Sequence, residues 1–139
     1  MREIKFRAKP TTGGYPWAYG NAVIQTNGKA YLFEDTDGCA GVFEDGDPES
    51  SCYIVDGLLE VYLETVGQYT GLKDKNDKEI YEGDIVSSGA TTGVVMYDCE
   101  QAGFVVQKEK AIELRFYLSL GIEVIGNIHD NKLEDFYGR

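Results

Sequence analysis

The residues that most often perform catalysis are few in this chain and lie far apart. His129 is the single histidine, and the cysteines Cys39, Cys52 and Cys99 are widely spaced. A nucleophilic cysteine needs a neighbouring base and a group that orients that base, so a Cys–His pair here would depend on a tertiary contact. The sequence therefore predicts no catalytic residues and favours a protein that is not an enzyme. An odd number of separated cysteines also favours free thiols over a disulfide framework.

Metal and nucleotide chemistry find little support in the sequence. Zinc sites need clustered ligands, usually including a Cys-x-x-Cys pair, and the sequence has no such pair. A calcium loop read from Asp35 would need glycine at its sixth position and glutamate at its twelfth, where Ala40 and Gly46 stand. Glycine-rich stretches such as Gly13-Gly14 lack the lysine of a phosphate-binding loop. We therefore expect no metal and no cofactor.

The charge of the chain narrows the classes of partner. The formal net charge is -11, and a surplus of carboxylates opposes binding to phosphate backbones, so nucleic acid is an unfavourable partner. Solubility is the simplest role for this charge. An alternative is that the acidic side chains mimic DNA phosphates and inhibit a DNA-binding host enzyme. The candidate stripe for such mimicry lies in a predicted loop at residues 35–51 and comprises Asp35, Asp37, Glu44, Asp45, Asp47 and Glu49.

Two segments offer side chains suited to recognition of another protein. Residues 11–20 contain glycines and a proline around three aromatic residues, which predicts an irregular loop, although Trp17 is also well suited to pack at the edge of the core. A charged stretch near residue 75 predicts an exposed hairpin tip. The candidate interaction surface comprises Tyr15, Trp17, Tyr19, Lys73, Asp74, Lys75 and Lys78. The lysines of the tip also leave open a third functional hypothesis, beside protein interaction and DNA mimicry: a small β-barrel that binds nucleic acid.

Short apolar segments separated by turn residues must position these side chains. Ile4, Phe6 and Ala8 alternate with charged residues, as in a strand with one buried face, and Asn27-Gly28 predicts a type I′ hairpin turn. Further strands are predicted at residues 52–55, 59–63, 93–97, 104–106 and 123–128, while residues 108–120 fit a strand or a helix equally well. We expect a mainly β or β-rich α+β fold, built as a bent sheet of short strands or a small SH3-like barrel. A short C-terminal helix should begin near Lys132.

The length of 139 residues predicts a single domain, with a division into an N-terminal β part at residues 1–66 and a C-terminal small-barrel part at 67–139 as an alternative. No apolar run reaches the length of a membrane-spanning helix, and the N-terminus lacks the apolar core of a signal peptide. These features predict a cytoplasmic protein with no membrane partner.

Three segments resemble the YopX family of phage and prophage proteins: MREIKFRA at the start, ETVGQYTGLKDKNDKEIYEGDIV in the centre and EVIGNI near the end. The sequence departs from the family pattern at Lys9, where Trp is frequent, at Asp77, where Gly usually completes the turn, and at Lys132, where Pro is common. The resemblance implies a bacteriophage or prophage accessory protein in a bacterial host. It implies no activity and no catalytic residue, because the family has no established biochemistry.

The central segment, which we call the central motif, is predicted to be a scaffold. Gly71 and Gly83 should adopt backbone conformations that a side chain disfavours. The apolar residues Leu72, Ile80, Ile85 and Val86 should be buried, and the charged residues of the tip should face solvent. The sequence thus predicts a non-enzymatic protein-interaction module that binds a host or phage protein or a second copy of itself.

Overall fold

The described part of the chain is antiparallel β structure with one short helix. The computed structural model describes residues 3–14, 16–34, 41–44, 53–56, 58–89, 91–108 and 111–132. The chain divides into two compact units, a first unit of Ile4–Val66 and a second unit that begins at Gly67 and includes Glu3. This architecture confirms the mainly β fold that the short Val-, Ile- and Tyr-rich segments predict.

The first unit consists of short strands and one turn of 3-10 helix at Leu63–Thr65. Its strands are β1 (Phe6–Ala8), β2 (Ala18–Ile24), β3 (Ala30–Glu34), β4 (Gly41–Glu44), β5 (Tyr53–Asp56) and β6 (Leu58–Val61). β4 and β5 pair with each other, and the other strands pair antiparallel in the order β6, β3, β2, β1. The predicted hairpin at Asn27-Gly28 is confirmed, but only Gly28 of that pair has a positive φ, 87°, so the turn is not type I′.

The sheet of the first unit curls around a small core. Side chains alternate between the two faces of a strand, and the inner face here buries a cluster of Ala8, Ala18, Ala30, Leu32 and Val61. Beyond β1 the chain crosses to β6, where Pro10 bridges Val61 and the Thr11 N–H donates to the Glu60 carbonyl at 3.1 Å. The alanine-rich inner face leaves room for this curvature, because small side chains let the strands approach across the interior.

The second unit contains a hairpin, a five-stranded antiparallel sheet and the helix. Its elements are β7 (Gly67–Lys73), β8 (Glu79–Tyr81), β9 (Asp84–Ser87), β10 (Thr92–Asp98), β11 (Gly103–Gln107), β12 (Ala111–Glu113), α1 (Leu114–Leu118) and β13 (Glu123–Asn127). β7 pairs with β8, and the sheet order is β12, β11, β10, β9, β13. The core of this unit comprises Ile80, Val86, Val95, Val106, Leu114, Tyr117, Ile122 and Val124.

Several predictions need correction or fall outside the described residues. The five-stranded sheet ends at β12 and β13, and the described strands form no closed barrel, so the bent sheet and not the SH3-like barrel describes this fold. The predicted aromatic loop ends too late, because Ala18–Ile24 is already β2. The predicted acidic loop contains β4, and the segment at 108–120 holds both β12 and α1. The predicted terminal helix lies beyond the described part of the chain.

Candidate interaction surfaces

The face of the curled sheet that points away from its core is unusually apolar. We call this the outer face and define it by Tyr19, Val23, Tyr31, Phe33 and Leu58, which occupy the strand positions between the buried ones. Tyr19 is 46% exposed, Val23 39% and Leu58 38%, whereas Tyr31 and Phe33 are half-buried. A solvated antiparallel sheet usually presents polar side chains on such a face. The outer face therefore exposes apolar and aromatic side chains on β2, β3 and β6.

The register of the strands places these side chains in rows. Phe33 pairs with Asn21 on one side and with Leu58 on the other, so one row runs across β2, β3 and β6. Tyr31 pairs with Val23 and Glu60, which makes the next row. Side chains in such cross-strand pairs contact each other directly. Each row thus joins apolar side chains to one exposed polar residue, Asn21 on β2 in the first row and Glu60 on β6 in the second.

Trp17 lies beside the outer face and packs against two cations. The Arg7 guanidinium is 4.7 Å from the centroid of its ring, and the Lys9 ammonium is 5.3 Å away. Arg7 is buried, pairs with Tyr19 across the strands and so belongs to the same face of the sheet. Trp17 is half-buried, so part of its ring lies at the surface. Tyr15, which we predicted to accompany it, lies outside the described residues.

The tip of the β7–β8 hairpin in the second unit is a tight turn around Asp77. The Asp77 N–H donates to the Asp74 carbonyl at 3.0 Å, and the Asp74 N–H donates to the Lys78 carbonyl at 2.8 Å. Asp77 has a φ of 66°, a left-handed conformation that Asp tolerates better than most residues. Lys73, Lys75 and Lys78 are exposed around this turn, as predicted.

Asp74 contradicts the expectation that it faces solvent, because it is only 7% exposed. One carboxylate oxygen, Oδ1, accepts hydrogen bonds from the N–H groups of Asn76 at 2.8 Å and Lys78 at 2.9 Å. The other, Oδ2, accepts one from the N–H of Val124 at 2.9 Å. Burial by itself would raise the pKa of Asp74, but these three N–H donors and the nearby Lys78 charge outweigh it and hold the pKa below its ordinary value. Asp74 thus anchors the hairpin tip to the start of β13.

The lysines of the tip lie close to carboxylates. Lys75 Nζ is 3.6 Å from Glu123 Oε2, and Lys73 Nζ is 3.7 Å from Asp77 Oδ1. The Lys75 N–H also donates to the Ile122 carbonyl at 3.0 Å, which adds to the anchoring by Asp74. The nearby carboxylates lower the positive potential that contact with phosphates needs, so this tip gives little support to binding of nucleic acid.

Comparison with protein-family models matches residues 17–134 to the YopX protein family, which is most of the chain. The chain belongs to the YopX family. No curated protein matches the sequence. The matched YopX segment includes the strands of the outer face and the whole central motif, so both candidate surfaces belong to the family domain.

In this YopX chain the central motif has the scaffold features expected from its sequence. Gly71 has a φ of 85° and Gly83 of 92°, and a Cβ at Gly83 would lie 3.6 Å from His129 Nε2. The Asp84 carboxylate accepts the Tyr81 N–H at 2.7 Å and closes the turn between β8 and β9. Ile80, Ile85 and Val86 are buried as predicted, and Leu72 is half-buried.

The second unit also contains a groove that is open to solvent. It has a volume of about 190 Å³, and its lining comprises Leu72, Gln101, Gly103, Phe104, Val105, Glu113, Leu114 and Arg115.

The part of the YopX chain that the structure describes contains no cluster of three or more potential metal ligands. Among the same residues, no helix has the length and apolar character needed to cross a membrane.

Sequence reasoning named Tyr19 but missed the rest of the outer face, and it missed the role of Asp74 for a different reason. The run Ala30-Tyr31-Leu32-Phe33 is apolar at every position, and this absence of alternation is the signal that both faces of β3 are apolar. Asp74 carries no such signal, because its partner Val124 lies 50 residues away in the sequence.

Proposed function

We propose that the protein is a non-enzymatic interaction module, an accessory protein of a bacteriophage or prophage, that binds another protein through its outer face. The observation that carries this proposal is the exposed apolar surface formed by the side chains of β2, β3 and β6. Exposed apolar side chains grouped on one surface often mark interaction sites. Membership of the YopX family supports the phage or prophage origin.

The composition of the outer face suits a protein partner. Tyrosine and other aromatic side chains are enriched where proteins bind each other, because each brings a large apolar area with few rotatable bonds. Complete burial of a large apolar side chain is worth about 1.5–3 kcal/mol. A partner that covers Tyr19, Val23 and Leu58 would therefore gain affinity from side chains that the first unit leaves exposed.

The test compares two double variants of matched exposure. Tyr19→Ser with Val23→Ser alters the outer face, whereas Tyr97→Ser with Met96→Ser removes a tyrosine and a methionine side chain, each 48% exposed, from β10 in the second unit. Thermal melts first establish that both variants fold. Wild type and both variants are then immobilised and incubated with bacterial host lysate, and retained proteins are quantified by mass spectrometry.

The expected result is a protein retained by wild type and by the β10 variant, and reduced at least about tenfold by the outer-face variant, as loss of a binding hot spot requires. Sedimentation of the three proteins gives the same comparison for self-association. Identical retention and identical sedimentation by all three proteins would refute the proposal.

A further inference from the structure

One edge of β2 is uncovered over the second half of the strand. β3 covers the other edge from Gly20 to Ile24. On the first edge β1 pairs with β2 only as far as Gly20, and residues 3–5, which precede β1, belong to no strand. Within the described ranges, no strand pairs with this edge beyond Gly20. We call the uncovered edge, at residues 21–24, the open edge.

The hairpin turn shows which backbone groups point to the open edge. The Gln25 N–H donates to the Lys29 carbonyl at 2.8 Å, so these two residues face each other as a hydrogen-bonded pair. In an antiparallel ladder such pairs alternate with pairs whose N–H and C=O groups point away from each other. Counted back from Gln25 along the register, Ile24 and Ala22 belong to pairs of the second kind. The N–H and C=O groups of Ala22 and Ile24 therefore point away from β3, toward the open edge.

The open edge lacks the features that keep exposed strands from pairing. Proteins protect such edges with charged side chains, proline, bulges or a covering segment. β2 contains no charged residue and no proline, and its register with β3 is regular. Val23 is 39% exposed and Ile24 56%. Residues 10–28 are the longest run of the sequence without a charged side chain. The edge is therefore a template for an additional strand.

A second copy of β2 complements the open edge. When two copies pair antiparallel with Val23 at the two-fold axis, Ala22 of each copy lies opposite Ile24 of the other. The outward N–H and C=O groups of these residues then meet, and each opposed pair exchanges two N–H···O bonds. Val23 lies opposite its own equivalent, with the Cβ atoms about 4.5–5.5 Å apart. This register satisfies every outward backbone group of Ala22 and Ile24 without any other chain.

We infer that the open edge pairs antiparallel with the same edge of a second copy and forms a dimer with one sheet running through both first units. The inference goes beyond the proposed function, because it concerns the backbone edge of β2 and not the side chains of the outer face. Chains of net charge -11 repel each other, and like charges opposite each other destabilise strand pairs. An uncharged, self-complementary edge is where two copies meet with the least repulsion. A strand from another protein would use the same groups and becomes an outcome of the experiment.

The first experiment removes one outward N–H and leaves the bonds to β3 intact. Proline has no N–H, and the N–H of Ile24 points away from β3, so the hairpin should tolerate Ile24→Pro. Ile24→Val keeps the N–H and a β-branched apolar side chain, and is the matched control. Thermal melts establish that both variants fold. Sedimentation equilibrium then measures self-association of wild type and both variants from about 10 μM to about 1 mM, a range suited to a small interface.

We expect wild type and Ile24→Val to dimerise as concentration rises, and Ile24→Pro to associate at least about tenfold more weakly. Higher salt should strengthen the dimer, because it screens the repulsion between the chains while the edge itself carries no charge. The inference is overturned if wild type stays monomeric at about 1 mM or if Ile24→Pro dimerises as wild type does.

A second set of variants tests the register and does not depend on tolerance of proline. Val23→Lys alone or Val23→Glu alone places like charges opposite each other at the two-fold axis, whereas an equimolar mixture places opposite charges there. We expect the mixture to dimerise more strongly than either variant alone. A mixture that is no more dimeric than the separate variants overturns the inference.

Amide hydrogen exchange identifies the strand that pairs. In wild type the N–H groups of Ala22 and Ile24 should exchange more slowly as protein concentration rises. Those of Asn21 and Val23, which face β3, should be protected at every concentration. Dimerisation without this pattern assigns self-association to another surface, such as the outer face, and overturns the inference.

The same variants separate the inference from the proposed function. If wild type stays monomeric and Ile24→Pro loses a host protein that Ile24→Val retains, the open edge takes a strand of another protein. That outcome overturns the dimer and leaves the role of the protein as an interaction module standing. If the dimer forms as described but no host protein depends on the outer face, the open edge is an interface and the outer face is not a site for another protein.

Discussion

Two hairpin turns, one in each unit, share the same backbone geometry. In the β2–β3 turn the Gln25 N–H donates to the Lys29 carbonyl at 2.8 Å, and the Gly28 N–H donates to the Gln25 carbonyl at 3.0 Å. In the β7–β8 turn the corresponding bonds join Asp74 with Lys78 and Asp77 with Asp74, at the same 2.8 and 3.0 Å. The residue two positions before the returning strand has a positive φ in both turns, 87° at Gly28 and 66° at Asp77. Both turns are type I turns followed by a left-handed residue.

The two turns differ in how this geometry is held. In the first, every residue from Gln25 to Lys29 is exposed, and glycine provides the left-handed position without steric cost. In the second, a buried carboxylate at Asp74 takes the place of Gln25 and bonds to Val124 as well as to its own turn. The comparison teaches that a hairpin can be specified locally by glycine or fixed to the rest of the unit by one anchored side chain.

The largest expected effect comes from removing the anchor. Asp74→Ala leaves three backbone N–H groups, including that of buried Val124, without their acceptor, so we expect a loss of about 3 kcal/mol in the free energy of unfolding. The matched variant Gln25→Ala should change stability by less than about 0.5 kcal/mol, because that side chain is exposed. Urea titrations measure both, and Asp74→Asn serves as a second variant if Asp74→Ala does not fold. If Asp74→Ala lowers the free energy of unfolding as little as Gln25→Ala does, the buried carboxylate contributes nothing to stability.

Local features of both turns were predictable from sequence, and the anchor was not. Asn27-Gly28 and Asn76-Asp77 identify the turns because their side chains and backbones favour turn conformations, and the strands beside them follow from apolar patterning. Asp74 stands among Lys73, Lys75 and Asp77, so composition alone indicates an exposed tip. Its burial depends on β13 reaching the hairpin, which is a tertiary contact. The outer face was likewise not predicted, apart from Tyr19, because β3 is apolar at successive positions and a run without alternation does not show which side chains face solvent.

The second expected effect is a dependence of stability on pH that only the anchored turn provides. The pKa of Asp74 is lowered in the folded protein, so its ionised form stabilises the fold. This contribution should be fully present above the unfolded value of about 3.9 and be lost as the pH falls from there through the folded pKa. The free energy of unfolding of wild type minus that of Asp74→Asn, measured by urea titration from neutral to acidic pH, should shrink only below about pH 4. A difference that is constant over this range would exclude Asp74 as the titrating group.

A third, smaller effect comes from exchanging the left-handed residues of the two turns. Gly28→Asp should destabilise by about 1 kcal/mol, because an L-residue is disfavoured at a φ of 87°. Asp77→Gly should stabilise by about 0.5–1 kcal/mol for the converse reason, reduced by the greater freedom of glycine in the unfolded chain. Thermal melts of both variants measure the exchange. If Asp77→Gly destabilises the protein, the Asp77 side chain contributes more than its backbone strain costs.

The smallest expected effect concerns Lys75, whose side chain and backbone play separate roles at the anchored tip. Its Nζ approaches Glu123 at 3.6 Å, but both side chains are roughly half exposed, and exposed ion pairs contribute about 0.2–1 kcal/mol before screening by salt. Its N–H donates to Ile122 through the backbone, and an alanine keeps that bond. Lys75→Ala should therefore change the free energy of unfolding by less than about 0.5 kcal/mol, as should Thr26→Ala at the equivalent position of the β2–β3 turn. Urea titrations at low and high salt measure both. A loss at Lys75 comparable to that at Asp74 would mean that the ion pair, and not the buried carboxylate, holds the hairpin to β13.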